Sequence, residues 1–422
     1  MMMVLYEIKK VLLKPSFWIA LLLLIAMTAF SCFQAVSGSI GNGLYWTDED
    51  GTVQSGYSAA EKLRTSQKEW SGTLDQELLE RALTELKRLN TTAKESSDDT
   101  ATSDTLLYSQ RQKLKVIRDL LNQSFKDDYQ WEYSDYFIAE TLESEELSSF
   151  YANRIDQLRN WLYDENSSAY ARFSEQEKQY LLSCYEALDT PFQVGYTLGW
   201  DMSYEVSMTI ATWGSVIMAF LVAQLFAGEF HWKAESVYFS TTNGKKRGNA
   251  AKLAAGFLLT AGIYWIIQLV ANLFVLGCLG FDGASCPVQS NSNWWNCIYN
   301  VTFLQRTLLG AADGFLCWLF LSATVMLTSA LFQSVSLAVC APCLMMLLPR
   351  FFEDSSILSS VERIVRLLPY KMFTTFANES IALYTVLGKV VTPITIQRIL
   401  YPALTIILAI ICYQVYKRKQ VR

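Results

Sequence analysis

The stretch Leu253–Phe281, LAAGFLLTAGIYWIIQLVANLFVLGCLGF, runs for 29 residues without an Asp, Glu, Lys or Arg. About 20 mainly apolar residues cross ~30 Å of hydrocarbon as a helix, so this stretch reads as one membrane span. Four further runs carry no charge: Pro15–Thr47 (33 residues), Val206–Gly228 (23), Gly314–Pro349 (36) and Ile399–Tyr416 (18). The 36-residue run is too long for one helix, and Gln333-Ser334-Val335-Ser336 interrupts it. It divides into helices over 303–331 and 335–352. The expectation is an all-α polytopic membrane protein with six transmembrane helices.

Composition agrees. Of 422 residues, 51% are hydrophobic and 18% charged, against roughly 25% charged in an ordinary globular domain. His231 is the one histidine, which excludes a zinc site with two His ligands and disfavours Ser-His-Asp chemistry.

Lysine and arginine set the orientation. Lys9, Lys10 and Lys14 precede the first span; Lys233, Lys245, Lys246, Arg247 and Lys252 lie between the second and third; Lys417, Arg418, Lys419 and Arg422 follow the last. All three segments read as cytoplasmic, so both termini are expected inside a multi-pass cell-membrane protein. The segment 350–398 resists, with six basic residues on a side that parity places outside. The first span lacks a small-residue cleavage site and is expected to be retained as a membrane helix.

The chain divides into an amphipathic interfacial helix at 1–15, a first transmembrane helix at 16–36, an extracytoplasmic, mainly helical domain at 37–200, and the remaining spans in 201–422. Residues 37–200 carry 16 basic and 29 acidic side chains, a net of −13, whereas the rest nets +8. An acidic domain therefore sits on a basic membrane body. Leu74, Leu78, Leu79, Leu86 and Leu89 recur at helical spacing, as do Leu106, Leu107, Leu114, Ile117 and Leu121. Further helices are expected over 141–163 and 174–188, a hairpin around Tyr45 and Val53, and a loop tip over Lys94–Thr105. In the N-terminal helix Val4, Leu5, Ile8, Val11 and Leu12 share one face, with Glu7, Lys10 and Lys14 opposite, where lysines reach lipid headgroups.

Between the second and third spans, Glu229, His231, Trp232, Lys233 and Glu235 precede Tyr238-Phe239, the turn Thr241-Thr242-Asn243-Gly244 and the basic Lys245-Lys246-Arg247. A short helix ending at Asn243-Gly244 fits, glycine supplying a left-handed cap. A basic loop that only enforces topology fits as well.

This arrangement resembles the permease subunits of type-2 ABC exporters, in the variant with a large extracytoplasmic domain between helices one and two. Glu229 matches the acidic position at the cytoplasmic end of the second helix, Lys245-Lys246-Arg247 the basic cluster, and Lys252 the lysine opening the third helix. The chain departs from the pattern at Lys233-Ala234, where Gly-Thr is usual, and at Thr241-Thr242, where Thr-Pro is usual. The resemblance implies a coupling segment at 229–252, with Glu229, His231, Trp232, Glu235, Tyr238 and Phe239 against a separate ABC ATPase subunit. It also implies a second permease chain, homodimeric or heterodimeric, and an outer re-entrant segment at 353–397. No Gly-x-x-x-x-Gly-Lys-[Ser/Thr] loop occurs, so ATP and Mg belong to the partner and this chain is not itself an enzyme. Nothing points to nucleic acid. The exported substrate stays open among peptides, drugs and lipids, the acidic domain favouring cationic or antimicrobial peptides. A receptor or sensor whose extracytoplasmic domain binds a ligand is the competing class.

Arg306 and Asp313 lie seven residues apart on one helix face, Asp313 about 15 Å deep at 1.5 Å per residue. Ionisable groups in a membrane are functional candidates by default, so the two form a polar stripe that serves either a pathway or interhelical pairing. Asp201 and Glu205 mark the headgroup boundary. Cys340-Ala341-Pro342-Cys343 reads as core packing. Cys286 and Cys297 form a disulfide if their side is oxidising.

Overall fold

The charge-free runs become helices because nothing else satisfies backbone polar groups in hydrocarbon. A computed structural model describes residues 2–41, 44–48, 50–95, 101–127, 129, 133–231, 244–347, 362–374 and 382–418. Among them five helices are long and apolar enough to cross a bilayer: α2 (Pro15–Gly41), α9 (Leu198–His231), α10 (Asn249–Leu279), α11 (Phe303–Phe332) and α14 (Pro393–Arg418). By length and composition the chain reads as a multi-pass membrane protein. The first span runs to Gly41, five residues beyond its expected end at 36.

The sixth expected span is described as the 13-residue α12 (Val335–Leu347), with Pro342 inside it. That is roughly 20 Å at 1.5 Å per residue, shorter than a hydrocarbon slab of ~30 Å. The rest of 335–352 lies outside the described residues, as do 353–361 and 375–381 of the segment expected to be re-entrant.

The ends of these helices have local causes. Thr302 caps α11, its hydroxyl accepting from the Gln305 amide while Gln305 reaches back, and Gln333 closes the helix in the left-handed conformation at φ 58°. Pro393 opens α14, where a missing N–H costs nothing.

Helix α9 is central: 78% of its apolar window is buried, against 17% for α2 and for α14. Its glycines allow close approach to its neighbours. A Cβ on Gly214 would meet the Trp318 ring at 2.7 Å, and one on Gly199 would meet the Gly280 carbonyl oxygen at 2.1 Å. The Trp318 indole donates to the Ala211 carbonyl at 2.8 Å, fixing α11 on α9.

Direction follows from these contacts. Asp313 of α11 meets Arg398 of α14 near the start of both helices, and Phe320 stacks on Tyr401 further along. Near the other end the Ser329 hydroxyl donates to Ala223 O at 2.7 Å, and Tyr416 packs on Phe226. Hence α9, α11 and α14 run parallel, and α2 and α10 run the opposite way. The segment between α11 and α14 must therefore return the length of the bundle. On that return the Pro369 carbonyl lies 3.7 Å from the Cys317 sulfur.

At one end stands a helical head, residues 44–197. It holds α3 (Tyr57–Lys68), α4 (Gln76–Glu95), α5 (Ala101–Lys113), α6 (Lys115–Phe125), α7 (Phe150–Tyr163) and α8 (Glu175–Glu186). The hairpin expected near Tyr45 forms as β1 (Tyr45–Thr47) paired with β2 (Val53–Ser55). Two further antiparallel pairs qualify the all-α expectation: β3 (Gly72–Thr73) with β4 (Gln193–Val194), and β5 (Tyr384–Val386) with β6 (Lys389–Val391). The loop expected over Lys94–Thr105 is shorter, since α4 reaches Glu95 and α5 begins at Ala101. A one-turn α13 (Glu362–Val365) precedes the last hairpin.

Two cores hold the head. Leu78, Leu83, Leu86 and Leu89 pack on Ile117, Leu120 and Leu121, and Trp295 from the α10–α11 loop completes that cluster. Leu158, Leu162, Leu181 and Tyr185 form the second core, with Leu383 from the loop before α14. Full burial of such a side chain contributes about 1.5–3 kcal/mol, so loops of the membrane body are part of the head's stability. Polar clamps add to this. Arg154 donates to the Trp295 and Cys297 carbonyls at 3.0 and 3.2 Å, its guanidinium 3.7 Å from the Tyr185 ring centre. Asp282, just past α10, pairs with Arg64 and with Lys68 (3.0 Å) of α3.

Candidate functional site

The end of the bundle away from the head gathers charge that the chain scatters. Glu229 is in the last turn of α9, Lys252 in the first turn of α10, and Glu7 and Lys10 in α1 (Met2–Leu12). The Glu229 Oε1 accepts from Lys252 Nζ and from Lys10 Nζ, each at 2.7 Å. Lys252 also donates to the Leu225 carbonyl at 2.8 Å and lies 3.4 Å from Glu7. Glu7 pairs with Lys10 at 3.2 Å. The Lys252 side chain is only 1% exposed. A buried ammonium is tolerated when carboxylates and carbonyls replace its water, and here both do.

The family resemblance singled out Glu229 and Lys252 on separate helices, and the structure brings them into one pair. It corrects the reading of α1. Glu7 is buried and faces the bundle, whereas Leu5, Tyr6 and Leu13 are exposed. The wheel placed Glu7 and Lys10 opposite the apolar face; they turn inward to Glu229 and Lys252, and Val11 of that apolar face is buried beside them while Leu5 and Leu12 stay exposed. Burial works to lower the Lys10 pKa, yet its hydrogen bond to Glu229 and the nearby Glu7 outweigh this and hold the ammonium above its ordinary value. Lys14 goes the other way, lowered by burial and by the neighbouring Lys252.

Of the other coupling residues, His231 ends α9, while Trp232, Glu235, Tyr238 and Phe239 lie outside the described residues. Lys246 and Arg247 are exposed where a π-helical turn, Gly244–Gly248, leads into α10.

The expected polar stripe on α11 separates into two ion pairs with different helices. Arg306 meets Asp201 of α9 at 2.7 Å, and Asp201 also accepts from Asn291 at 2.7 Å and the Trp294 indole at 3.2 Å. The guanidinium lies 4.2 Å from the Trp294 ring centre and 4.5 Å from that of Tyr204, aromatic faces that favour a desolvated cation. Asp201 is thus the half-buried ion-pair partner of Arg306. Asp313 instead holds Arg398 of α14 through two bonds of 2.8 and 3.0 Å. Two residues on one face found different neighbours because α9 and α14 both run alongside α11, and each claims one of the two side chains. Both pairs link neighbouring helices.

Cys286 and Cys297, left open as a pair that an oxidising side would join, are both free and buried. Burial pushes each thiol up to about 11. Cys340 is exposed and Cys343 half-buried, so the first does not pack into the core. The inward face of α12 is Ala338, Val339, Pro342 and Met346.

No family model, curated protein or solved structure matches this chain.

Proposed function

We propose that the chain is the membrane-spanning subunit of an ATP-driven exporter, crossing the cell membrane six times with both termini in the cytoplasm. In this reading it pairs with a second permease chain, and a separate subunit binds ATP and Mg and hydrolyses it. The observation that carries the reading is the ion cluster of Glu7, Lys10, Glu229 and Lys252. It welds the base of α9 to the base of α10 and to α1, on either side of the segment 232–243. A push on that segment by a nucleotide-driven partner would reach three helices at once. The parallel course of α11 and α14 supports the sixth crossing, since the chain must come back between them. The acidic head favours a cationic or amphipathic peptide as the exported substrate.

The test is purification of the full chain from its native membrane in a mild detergent. A nucleotide-binding subunit should accompany it, and the complex should hydrolyse ATP. Replacing Tyr238 and Phe239 with Ala should lower that hydrolysis by about tenfold, the equivalent of ~1.4 kcal/mol of coupling, with the chain still folded. Purification without any nucleotide-binding subunit, with ligand binding by the head intact, would favour a receptor instead.

A further inference from the structure

Where α2, α9 and the start of α12 meet, a cavity of about 1040 Å³ opens to the side of the bundle. Its walls are apolar, with Ile19 and Leu23 on α2 facing Val216 and Phe220 on α9, and its far end holds Lys14, Ser334 and Ser336. Ile19 is 68% exposed and Leu23 57%, so the walls open onto the surface that hydrocarbon would cover. From Val216 to Gly228, both lining residues, α9 rises roughly 18 Å at 1.5 Å per residue. That is close to the depth of one leaflet, half of a hydrocarbon core of ~30 Å.

The charge at the polar end is unbalanced. Lys10 and Lys252 share the two carboxylates Glu7 and Glu229. Among the described residues no carboxylate lies within ion-pair distance of Lys14, which leaves one excess ammonium at the mouth of an apolar cavity. Gly228 makes room for it, since a Cβ there would come within 2.8 Å of Lys14 Nζ. An unpaired cation at such a boundary is stable only with an anion or water beside it.

We propose that this cavity binds one anionic phospholipid of the leaflet on the lysine side. The Lys14 ammonium and the Ser334 and Ser336 hydroxyls take the phosphate, and an acyl chain lies between Ile19 and Phe220. The leaflet-deep length, the lateral opening and the excess positive charge together select a lipid over a soluble anion. The site is independent of the exporter reading, because lipid retention needs neither ATP nor a partner.

The experiment uses the full chain in nanodiscs of phosphatidylcholine mixed with phosphatidylglycerol, released into native mass spectrometry. The wild-type chain should retain one phosphatidylglycerol in preference to phosphatidylcholine. Lys14→Gln should reduce that retention about fivefold, the worth of one lysine near an anionic surface. Lys14→Arg should preserve it, as should Lys417→Gln, which alters the separate groove between α10 and α14. Ser336→Trp, which fills the polar end without touching the ion cluster, should also lose the lipid and keeps the test open if Lys14→Gln fails to fold. Equal retention of the two lipids, or equal retention by wild type and both blocking variants, would overturn the proposal. So would an Ile19→Cys crosslink between two copies in the membrane, which would place a second chain in the cavity.

Discussion

At the scale of the residue, the two halves of the Asp313–Arg398 pair are unequal, the aspartate 1% exposed and the arginine 35%. Arg398→Met strands a carboxylate with no route to water, and removing one partner of a buried pair costs about 3–5 kcal/mol. Asp313→Asn leaves a guanidinium on the outer face of the bundle near the start of α14, where its long stem can carry it toward the headgroups, and the loss should be nearer ~1–2 kcal/mol, that of a weakened hydrogen bond. Unfolding of the purified chain in detergent, titrated with denaturant, ranks the two variants. If Asp313→Asn proves as damaging as Arg398→Met, the arginine is held away from water. The same asymmetry governs the lysine end. Glu229→Gln leaves Lys252 the longer 3.4 Å contact with Glu7, which Lys10 also shares, whereas Glu7→Gln leaves it the 2.7 Å contact with Glu229. The first should therefore be several-fold more destabilising by the same assay. This pairing was only half legible in the sequence. Glu229 and Lys252 stood out by position along the chain, but Glu7 and Lys10 did not. A helical wheel assigns charge to water and carries no information about a buried partner 222 residues away.

At the scale of the element, the helices of the bundle were legible because a membrane span is a property of composition over some 20 residues. The hairpin at Tyr45 and the leucine-spaced helices of the head were legible for the same reason, each being a local pattern. What a local pattern omits is which element touches which. Arg306 and Asp313 share a face, so spacing suggested one stripe, yet each is claimed by a different helix. The attachment of the head was equally hidden, because Trp295 and Leu383 complete its cores from loops far along the chain. One attachment can be titrated. Burial tends to raise the Asp282 pKa, but Lys68 and Arg64 outweigh it and hold the carboxyl below its ordinary 3.8. A depressed carboxylate pKa contributes stability that is complete above the unfolded value and is lost as pH falls through the folded one. The α3 contact with Asp282 should therefore be at full strength at neutral pH and weaken below pH 3.8. Hydrogen exchange over Tyr57–Lys68 compared across that range tests it. Asp282→Asn should show at neutral pH the exchange that the wild type shows only in acid; if that variant stays as protected as the wild type, the ion pairs do not hold the helix.

At the scale of the molecule, the decisive geometry is that α11 and α14 run side by side in the same direction. Each begins near the Asp313–Arg398 pair, and the two end near Ser329 and Tyr416. A chain that leaves α11 at the lysine end and enters α14 at the head end has returned the length of the bundle. Thirteen residues of α12 are too few to show that passage by length alone, which is why counting apolar helices yields five and charge parity yields six. The two counts are reconciled if the return is made by α12 and the residues that follow it, since α12 and Pro369–Thr374 both pack against α11. Two of the six basic residues of 350–398 are taken up by ion pairs. Arg398 is consumed by Asp313, and Arg363 lies 3.8 Å from Glu177 of the head. Single cysteines introduced into a chain stripped of its native ones decide the matter. Ser334→Cys and Thr385→Cys should react with a membrane-impermeant maleimide from opposite sides, the first in inverted vesicles and the second in intact cells. Labelling of both from one side would mean that the chain turns back within the membrane. In that case α14 could not cross in the direction that the Asp313–Arg398 and Phe226–Tyr416 contacts require.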